Sequence, residues 1–168
     1  TQKWNINTED WGTWSWEPAN TFQKDGSLNL QMVQHNHQRG DKKLAYTSGI
    51  ARTHQTITYG YFEARVKGCD LFPGASPAFW LHSQGPQNRY QARDGEMVAY
   101  SEIDIIELQQ GEFNSETKVN NGPTIIDCNL HNVLIRDGKR QWQRPNTHPE
   151  TNKNEYHAPF DPRDDFHV

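Results

Sequence analysis

Three carboxylates stand close together in the segment 101–107, whose sequence is Ser-Glu-Ile-Asp-Ile-Ile-Glu. Its alternation predicts a β-strand with Glu102 and Asp104 on one face and isoleucines on the other. Strict alternation would turn Glu107 toward the apolar face, where an ionised carboxylate is costly without partners. A β-bulge at positions 105–106 adds one residue to the strand and would return Glu107 to the face of the other two acids.

Two glutamates on one strand face, separated by a bulge, are expected to stand a few ångström apart. Glycosidases that retain the anomeric configuration need two carboxyl groups about 5–5.5 Å apart. One carboxylate attacks the anomeric carbon, while the other protonates the leaving oxygen and then activates water. Asp104 lies between Glu102 and Glu107, where it would share a proton with Glu102 and add negative charge. The alternative is a solvated strand face with incidental acids, because Glu-x-Asp-x-x-Glu is short and occurs by chance.

The composition argues against several other classes of protein. A net charge of −4 over 168 residues gives no general attraction to nucleic acid or to anionic membranes. No apolar run approaches the roughly 20 residues of a membrane span. The only close histidine pair, His35 and His37, is predicted to lie in a solvated loop rather than in a metal site, and no cofactor is expected. Cys69 and Cys128 are predicted to be free thiols.

The rest of the chain shows short segments of period two, punctuated by Gly and Pro. No stretch of ten or more residues carries an amphipathic helical stripe, and many short strands without helices predict an antiparallel β-sandwich. Asp137-Gly138 predicts a hairpin, and residues 143–165 are interpreted as a long ordered loop rather than a second domain. The predicted strands lie at 27–33, 59–66, 77–82, 101–108, 126–135 and 141–143.

The motif Glu102-Ile-Asp-Ile-Ile-Glu107 resembles the catalytic signature of glycoside hydrolase family 16. Further segments resemble the κ-carrageenases of that family, in order along the chain: Lys3-Trp-Asn, Trp14-Ser-Trp16, His37-Gln-Arg39, Tyr46-Thr-Ser-Gly49, Tyr59-Gly-Tyr-Phe-Glu-Ala-Arg65, Phe72-Pro-Gly74, Ser76-Pro-Ala-Phe-Trp80, Tyr100-Ser-Glu-Ile-Asp104, Leu130-His-Asn132, Trp142-Gln-Arg-Pro145 and Pro159-Phe-Asp-Pro-Arg163.

The resemblance implies a concanavalin A-like jelly-roll β-sandwich of two antiparallel sheets, with a substrate cleft on the concave face. It implies a retaining endo-hydrolase of β-1,4 linkages in a sulfated red-algal galactan, with κ-carrageenan as the first candidate. By this likeness Glu102 is the nucleophile, Asp104 its helper and Glu107 the acid/base. The resemblance also implies a secreted or periplasmic bacterial protein.

Aromatic and cationic residues around the motif are candidate substrate contacts. Trp80 lies on the non-core face of its predicted strand, where a sugar ring could stack, although a Trp packed into the sandwich is the alternative. Trp142 and Arg144, two residues apart, pair a stacking surface with a cation suited to a sulfate ester. The resemblance favours Trp14 as a cleft residue. His131 is predicted to face the cleft and to tune charge or bind the sugar, with a purely structural role as the alternative.

Two other functions remain open. One is a hydrolase of a different red-algal galactan, namely furcellaran, β-carrageenan, agarose or porphyran. The other is a catalytically silent, lectin-like binding module on the same fold. Family members also begin with an edge strand before Lys3-Trp4 and continue well beyond the motif that resembles Asp165–Val168. We therefore expect residues 1–168 to be one part of a single catalytic domain, with the remainder of that domain as its partner.

Overall fold

The computed structural model describes residues 3–70, 75–84, 90–91, 95–108, 113–114, 119–120, 124–143 and 154–168. Within these ranges the chain is built from strands, with one 3₁₀ turn at Pro18–Asn20. None of the described segments forms a helix long and apolar enough to cross a membrane. The chain divides into two compact units, Thr1–Gly60 and Tyr61–Val168.

The described strands of the first unit are β1 (Trp4–Asn5), β2 (Glu9–Trp11), β3 (Trp14–Trp16), β4 (Thr21–Lys24), β5 (Ser27–Leu30), β6 (Val33–Arg39), β7 (Lys42–Ser48) and β8 (Arg52–Thr53). They form a four-stranded sheet in the order β2-β3-β7-β6 and two smaller pairs, β1 with β8 and β4 with β5. Strands β3 and β7 run parallel, and the other pairs are antiparallel.

Local sequence explains two features of this unit. Asp25 and Gly26 adopt φ angles of 51° and 76° between β4 and β5, as a tight primed hairpin turn requires. A side chain at Gly49 would place its Cβ 2.3 Å from the backbone oxygen of Asn20, so only glycine fits there. Leu44 and Ile50 are among the buried apolar residues of this unit.

One expectation for this unit is wrong. His35 and His37 lie in strand β6 rather than in a loop, with their rings stacked 4.9 Å apart. Leu28 and Leu30 of the predicted strand 27–33 are exposed, because among the described residues β5 pairs with β4 alone in a two-stranded sheet.

The described strands of the second unit are β9 (Ala78–His82), β10 (Tyr90–Gln91), β11 (Met97–Glu107), β12 (Phe113–Asn114), β13 (Val119–Asn120), β14 (Ile125–Arg136), β15 (Lys139–Gln143) and β16 (Glu155–His157). Six of them form one sheet, whose centre is the long antiparallel pair β11 and β14. Strands β9 and β10 pair with β11, and β15 and β16 pair with β14. Strands β12 and β13 form a separate pair.

The predicted β-bulge in β11 is confirmed by the register of both neighbouring strands. Asp104 pairs with Trp80 and Ile106 with Phe79, so two steps along β11 match one step along β9. Against β14, Asp104 pairs with Asn129 and Glu107 with Asp127, so three steps match two. One extra residue therefore lies between Asp104 and Ile106, and the phase of the strand shifts as the sequence requires.

Beyond the bulge, Leu108 returns to an apolar core, as predicted. It is buried with Ile126 and Ala158, and Val66 and Phe160 pack against the cluster. On the same sheet face before the bulge, the apolar side chains are exposed rather than buried. Ile103 is 46% exposed, and Leu130, its partner across β14, is 63% exposed. The sheet face opposite Glu102 and Asp104 therefore presents apolar side chains to solvent along this stretch.

Other strand predictions are confirmed in part. The hairpin at Asp137 and Gly138 is present, with φ angles of 50° and 71° between β14 and β15. The predicted strand 59–66 is wrong, because only Val66 makes a bridge, to His167. Strand β16 lies within the interval predicted to be a loop. Cys69 and Cys128 are not joined by a disulfide bond, as expected.

Candidate active site

The three carboxylates of β11 lie on one face of the six-stranded sheet. Glu102 pairs with His131 of β14 and His82 of β9, and Asp104 pairs with Asn129 and Trp80. Directly opposite residues in a sheet share a face, and the bulge restores Glu107 to that face. The structure therefore brings the predicted residues Glu102, Asp104, Glu107, His131 and Trp80 together.

Asp104 is at the centre of this arrangement and is only 4% exposed. The Nε2 atom of His131 lies 3.1 Å from Asp104 Oδ2 and 3.9 Å from Glu102 Oε1. Burial, followed by the negative charges of Glu102 and Glu107 and a hydrogen bond with Glu102, raises the pKa of Asp104 to about 7. Asp104 is therefore protonated below neutral pH and can share its proton with Glu102.

This pKa shift predicts a pH dependence of stability. The free energy of unfolding should fall as pH rises from about 4 to about 7, because the native state keeps a proton on Asp104 that the unfolded chain releases. Residue 104 of the Asp104→Asn variant is neutral at every pH in this range. The free energy of unfolding of this variant, relative to that of the wild type, should therefore rise by about 1–4 kcal/mol between pH 4 and pH 8.

Calorimetric Tm values of both proteins between pH 4 and pH 8 test this expectation. Asp41→Asn, at an exposed position in the β6–β7 turn, is the matched control and should track the wild type. Parallel Tm curves for the wild type and Asp104→Asn would show that Asp104 does not hold its proton in the native state.

Glu102, Asp104 and His131 are also the one group of side chains, within the described part of the chain, that could together ligate a metal ion. One ligand atom from each lies within 4.8 Å of the others. Two carboxylates and an imidazole are an acceptable donor set for several divalent ions.

The hydroxyl group of Tyr100 donates a hydrogen bond to Glu102 Oε2. Burial and the neighbouring Glu102 carboxylate raise the pKa of this tyrosine, so the hydroxyl stays protonated and remains a donor. Tyr100 therefore fixes the orientation of the Glu102 carboxylate from the position two residues earlier on the same strand face.

Glu107 has its own neutral donor. Asn129, a buried residue of β14, donates from Nδ2 to Glu107 Oε2 over 2.5 Å. Its Oδ1 atom accepts a hydrogen bond of 2.7 Å from Asn154 Nδ2. The two glutamates are thus held by different side chains, one hydroxyl and one amide.

A row of rings crosses the same face of the sheet. Trp80 stacks on His82 with ring centroids 4.7 Å apart, and His82 lies 6.2 Å from Tyr100. Tyr100 meets the edge of Trp142 at 5.7 Å, and Trp142 is 43% exposed. These planar surfaces are of the kind on which sugar rings stack, and they lead directly to the carboxylates.

Two predicted substrate contacts, Trp14 and Arg144, are not among the described residues of the second unit. Trp14 belongs to β3 of the first unit, where its ring meets Trp16 edge-on at 6.3 Å. Arg144 falls outside the residues that the structure describes. Neither can be placed relative to Glu102, and their predicted roles stay predictions.

Four residues at the site were not predicted from the sequence: Tyr100, His82, Asn129 and Asn154. Period-two alternation could have found the first three, since each shares a face with a predicted site residue on its own strand. Nothing in the sequence points to Asn154, because it reaches the site by pairing with a strand about 25 residues away in the chain.

Comparison with known proteins identifies the family. A model of the glycosyl hydrolases family 16 matches residues 8–168. The chain is 43% identical over 177 aligned residues to the κ-carrageenase of Pseudoalteromonas carrageenovora, covering 99% of this chain and 42% of that protein.

Solved structures give the same result. The κ-carrageenase of P. carrageenovora in complex with an oligotetrasaccharide of κ-carrageenan superimposes with a TM-score of 0.77 and 40% identity, over 98% of this chain and 60% of that chain. A κ-carrageenase of Zobellia galactanivorans superimposes with a TM-score of 0.79 and 34% identity, over 98% and 58%. Porphyranase B of Z. galactanivorans, at 20% identity and a TM-score of 0.67, shares the fold.

The match extends over nearly the whole chain but over a smaller part of its relatives. The chain spans about 60% of the solved carrageenases and 42% of the curated one. Its described elements are strands apart from one 3₁₀ turn, and its solved counterparts include κ-carrageenases with the jelly-roll fold, so the predicted fold class is confirmed. The family match, the identity to a κ-carrageenase and the carboxylates grouped on a bulged strand lead to one conclusion: the chain belongs to glycosyl hydrolase family 16.

Proposed function

We propose that the protein is a retaining endo-hydrolase that cleaves β-1,4 linkages of a sulfated red-algal galactan, with κ-carrageenan as the first candidate substrate. The observation that carries this proposal is the grouping of Glu102, Asp104 and Glu107 on one face of a bulged strand in a chain similar to κ-carrageenases. A secreted or periplasmic location follows from the same proposal, since a polysaccharide of this size is degraded outside the cytoplasm.

The reaction proceeds in two steps. In the first, the Glu102 carboxylate attacks the anomeric carbon, while Glu107 gives its proton to the departing glycosidic oxygen. In the second, Glu107 takes a proton from water, and the water oxygen bonds to the anomeric carbon as the bond from that carbon to the Glu102 carboxylate breaks. Asp104 shares its proton with Glu102 in the free enzyme and relieves the repulsion among three carboxylates, and His131 lies against both acids.

Substrate binding is assigned to the two tryptophans of the row of rings and to the guanidinium group of Arg144. Trp80 and Trp142 stack on sugar rings, and Arg144 pairs with a sulfate ester beside Trp142. Trp14 provides a further stacking surface, by the likeness to the family. His131 contributes a hydrogen bond to the sugar or adjusts the charge of the acids.

The apolar surface on the opposite sheet face supports a larger catalytic domain. Ile103 and Leu130 are exposed there, and contiguous apolar surface of this kind usually marks a contact. The matched relatives are longer than this chain. We propose that further strands of the same catalytic domain cover this face.

A reducing-sugar assay of the complete gene product on κ-carrageenan, furcellaran, β-carrageenan, agarose and porphyran tests the substrate. We expect turnover on κ-carrageenan, and proton NMR of the first products should show the β-anomer that retention produces. Initial release of the α-anomer would exclude the retaining mechanism. If the protein binds these polysaccharides but hydrolyses none of them, the lectin-like alternative is favoured instead.

The Tyr100 hydroxyl supplies a further prediction. Tyr100→Phe keeps the ring and removes the donor to Glu102, so kcat on carrageenan should fall about 10- to 100-fold while KM changes less than about 3-fold. The chain offers a matched control, because Tyr61 donates to Glu63, also two residues later, over 2.6 Å at an exposed site. Steady-state kinetics should leave Tyr61→Phe unchanged, and equal behaviour of the two variants would contradict the assignment.

A further inference from the structure

Two amide side chains form a series of hydrogen bonds that ends at Glu107. Asn129 donates from Nδ2 to Glu107 Oε2, and Asn154 donates from Nδ2 to Asn129 Oδ1. The backbone is fixed at the same place, since Cys128 N donates to Asn154 O over 2.8 Å and β16 begins at the next residue. The amides are therefore supported by strand pairing on both sides.

The direction of these two hydrogen bonds is set by the carboxylate of Glu107, the acceptor at the end of the series. An ionised carboxylate only accepts hydrogen bonds, so Asn129 must turn its NH₂ group toward Glu107. Its carbonyl oxygen then faces Asn154 and has to be met by a donor. Asn154 meets it with its own NH₂ group, and this fixes which way the Asn129 amide points.

The same direction decides where Glu107 can carry a proton. In a protonated carboxyl group the carbonyl oxygen is a stronger acceptor than the hydroxyl oxygen, so the amide donor at Oε2 favours the form of the acid whose hydrogen is on Oε1. Both proton transfers of the reaction, to the leaving oxygen and from water, then use one oxygen at one position. Positioning of this kind is worth a large share of general acid catalysis.

We propose that Asn154 and Asn129 are positioning residues that confine the catalytic proton of Glu107 to its Oε1 atom. This inference rests on the acid/base role proposed for Glu107. It adds a residue remote from the reacting atoms, Asn154, whose substitution should change acid catalysis through the amide between them.

The test replaces the donor by an acceptor. In Asn154→Asp the new carboxylate accepts from Asn129, which turns its carbonyl oxygen toward Glu107 Oε2 and draws the proton to that oxygen. Turnover of κ-carrageenan should fall about 10- to 100-fold with KM within about 2-fold. Asn154→Ala removes the hydrogen bond to Asn129 without adding a charge, so it separates the two effects. Turnover of κ-carrageenan by this variant should fall about 3- to 10-fold.

The leaving group distinguishes positioning from a structural role. The aryl oxide of an activated aryl glycoside of a carrageenan oligosaccharide leaves without a proton. The rate of the first turnover of this substrate should therefore change less than about 3-fold in both variants. Asn36→Asp, at an exposed position in β6, is the matched substitution and should behave as the wild type with both substrates.

Three results would overturn the proposal. They are equal losses on carrageenan and on the aryl glycoside, a loss of carrageenan turnover that simply follows a lowered Tm, and unchanged turnover in both Asn154 variants. Failure of the proposed function has a different signature, since the wild-type protein itself would then hydrolyse none of the galactans.

Discussion

Replacing Glu102 by glutamine is expected to abolish hydrolysis while leaving oligosaccharide binding nearly intact. Glutamine keeps the size of the side chain and an oxygen that accepts the hydrogen bond of Tyr100, but it has no charge with which to attack the anomeric carbon. The loss of a nucleophile should lower kcat at least about 10⁴-fold. The Kd for a carrageenan oligosaccharide, measured by calorimetry, should stay within about 3-fold of the wild type.

The control for this variant lies in the same chain. Glu63 is exposed and accepts a hydrogen bond from a tyrosine two residues earlier, as Glu102 does. Glu63→Gln should therefore retain full activity, which separates the loss of a nucleophile from the loss of a tyrosine-bound carboxylate. Substantial turnover by Glu102→Gln would remove Glu102 from the role of nucleophile.

The face that carries the carboxylates could be predicted because it depends on the residue pattern within a single strand. In β11 a period of two and the cost of burying Glu107 together demanded one extra residue, and the register supplies it between Asp104 and Ile106. His131 could be placed in the same way, since alternation in β14 separates it from Leu130. The resemblance to the family is confirmed by the family match and by the identity to a κ-carrageenase.

The partners of these acids could not be predicted with the same ease. Which residue of β14 stands opposite Asp104 depends on the register of two strands, and the bulge shifts that register. Asn154 enters the site only through strand pairing, with no sequence pattern of its own. Tyr100 was within reach of the alternation, but a tyrosine beside a glutamate is not distinctive without the geometry of its hydroxyl.

Burial was harder to predict than strand position. Alternation correctly assigned Ile103 and Leu130 to the face opposite the acids, yet a face becomes a core only if another layer covers it. Both residues are exposed in this structure. The segment 59–66 alternates as a strand does, but among the described residues its one bridge is that of Val66, because alternation describes a residue pattern and not the presence of a neighbour.

Replacing Glu107 by alanine is expected to produce a defect that depends on the leaving group. Turnover of κ-carrageenan needs a proton on the departing oxygen, so kcat should fall about 10²- to 10⁴-fold. An activated aryl glycoside leaves without that proton, and its first turnover should remain fast. The second step then stalls because no base activates water, and the glycosyl-enzyme should accumulate as a burst of aryl release, measured by stopped-flow absorbance.

Azide identifies which step Glu107 serves. It needs no base, so it should attack the glycosyl-enzyme in Glu107→Ala and raise turnover of the aryl glycoside several-fold. Attack from the face opposite Glu102 gives a β-glycosyl azide, which proton NMR distinguishes from the α-anomer. An α-azide would mean that Glu107 is the nucleophile and that the two glutamates have exchanged roles, while absence of rescue would argue against acid/base catalysis by Glu107. The anomer therefore tests both assignments in one experiment, because the proposed roles place Glu102 and Glu107 on opposite sides of the sugar ring.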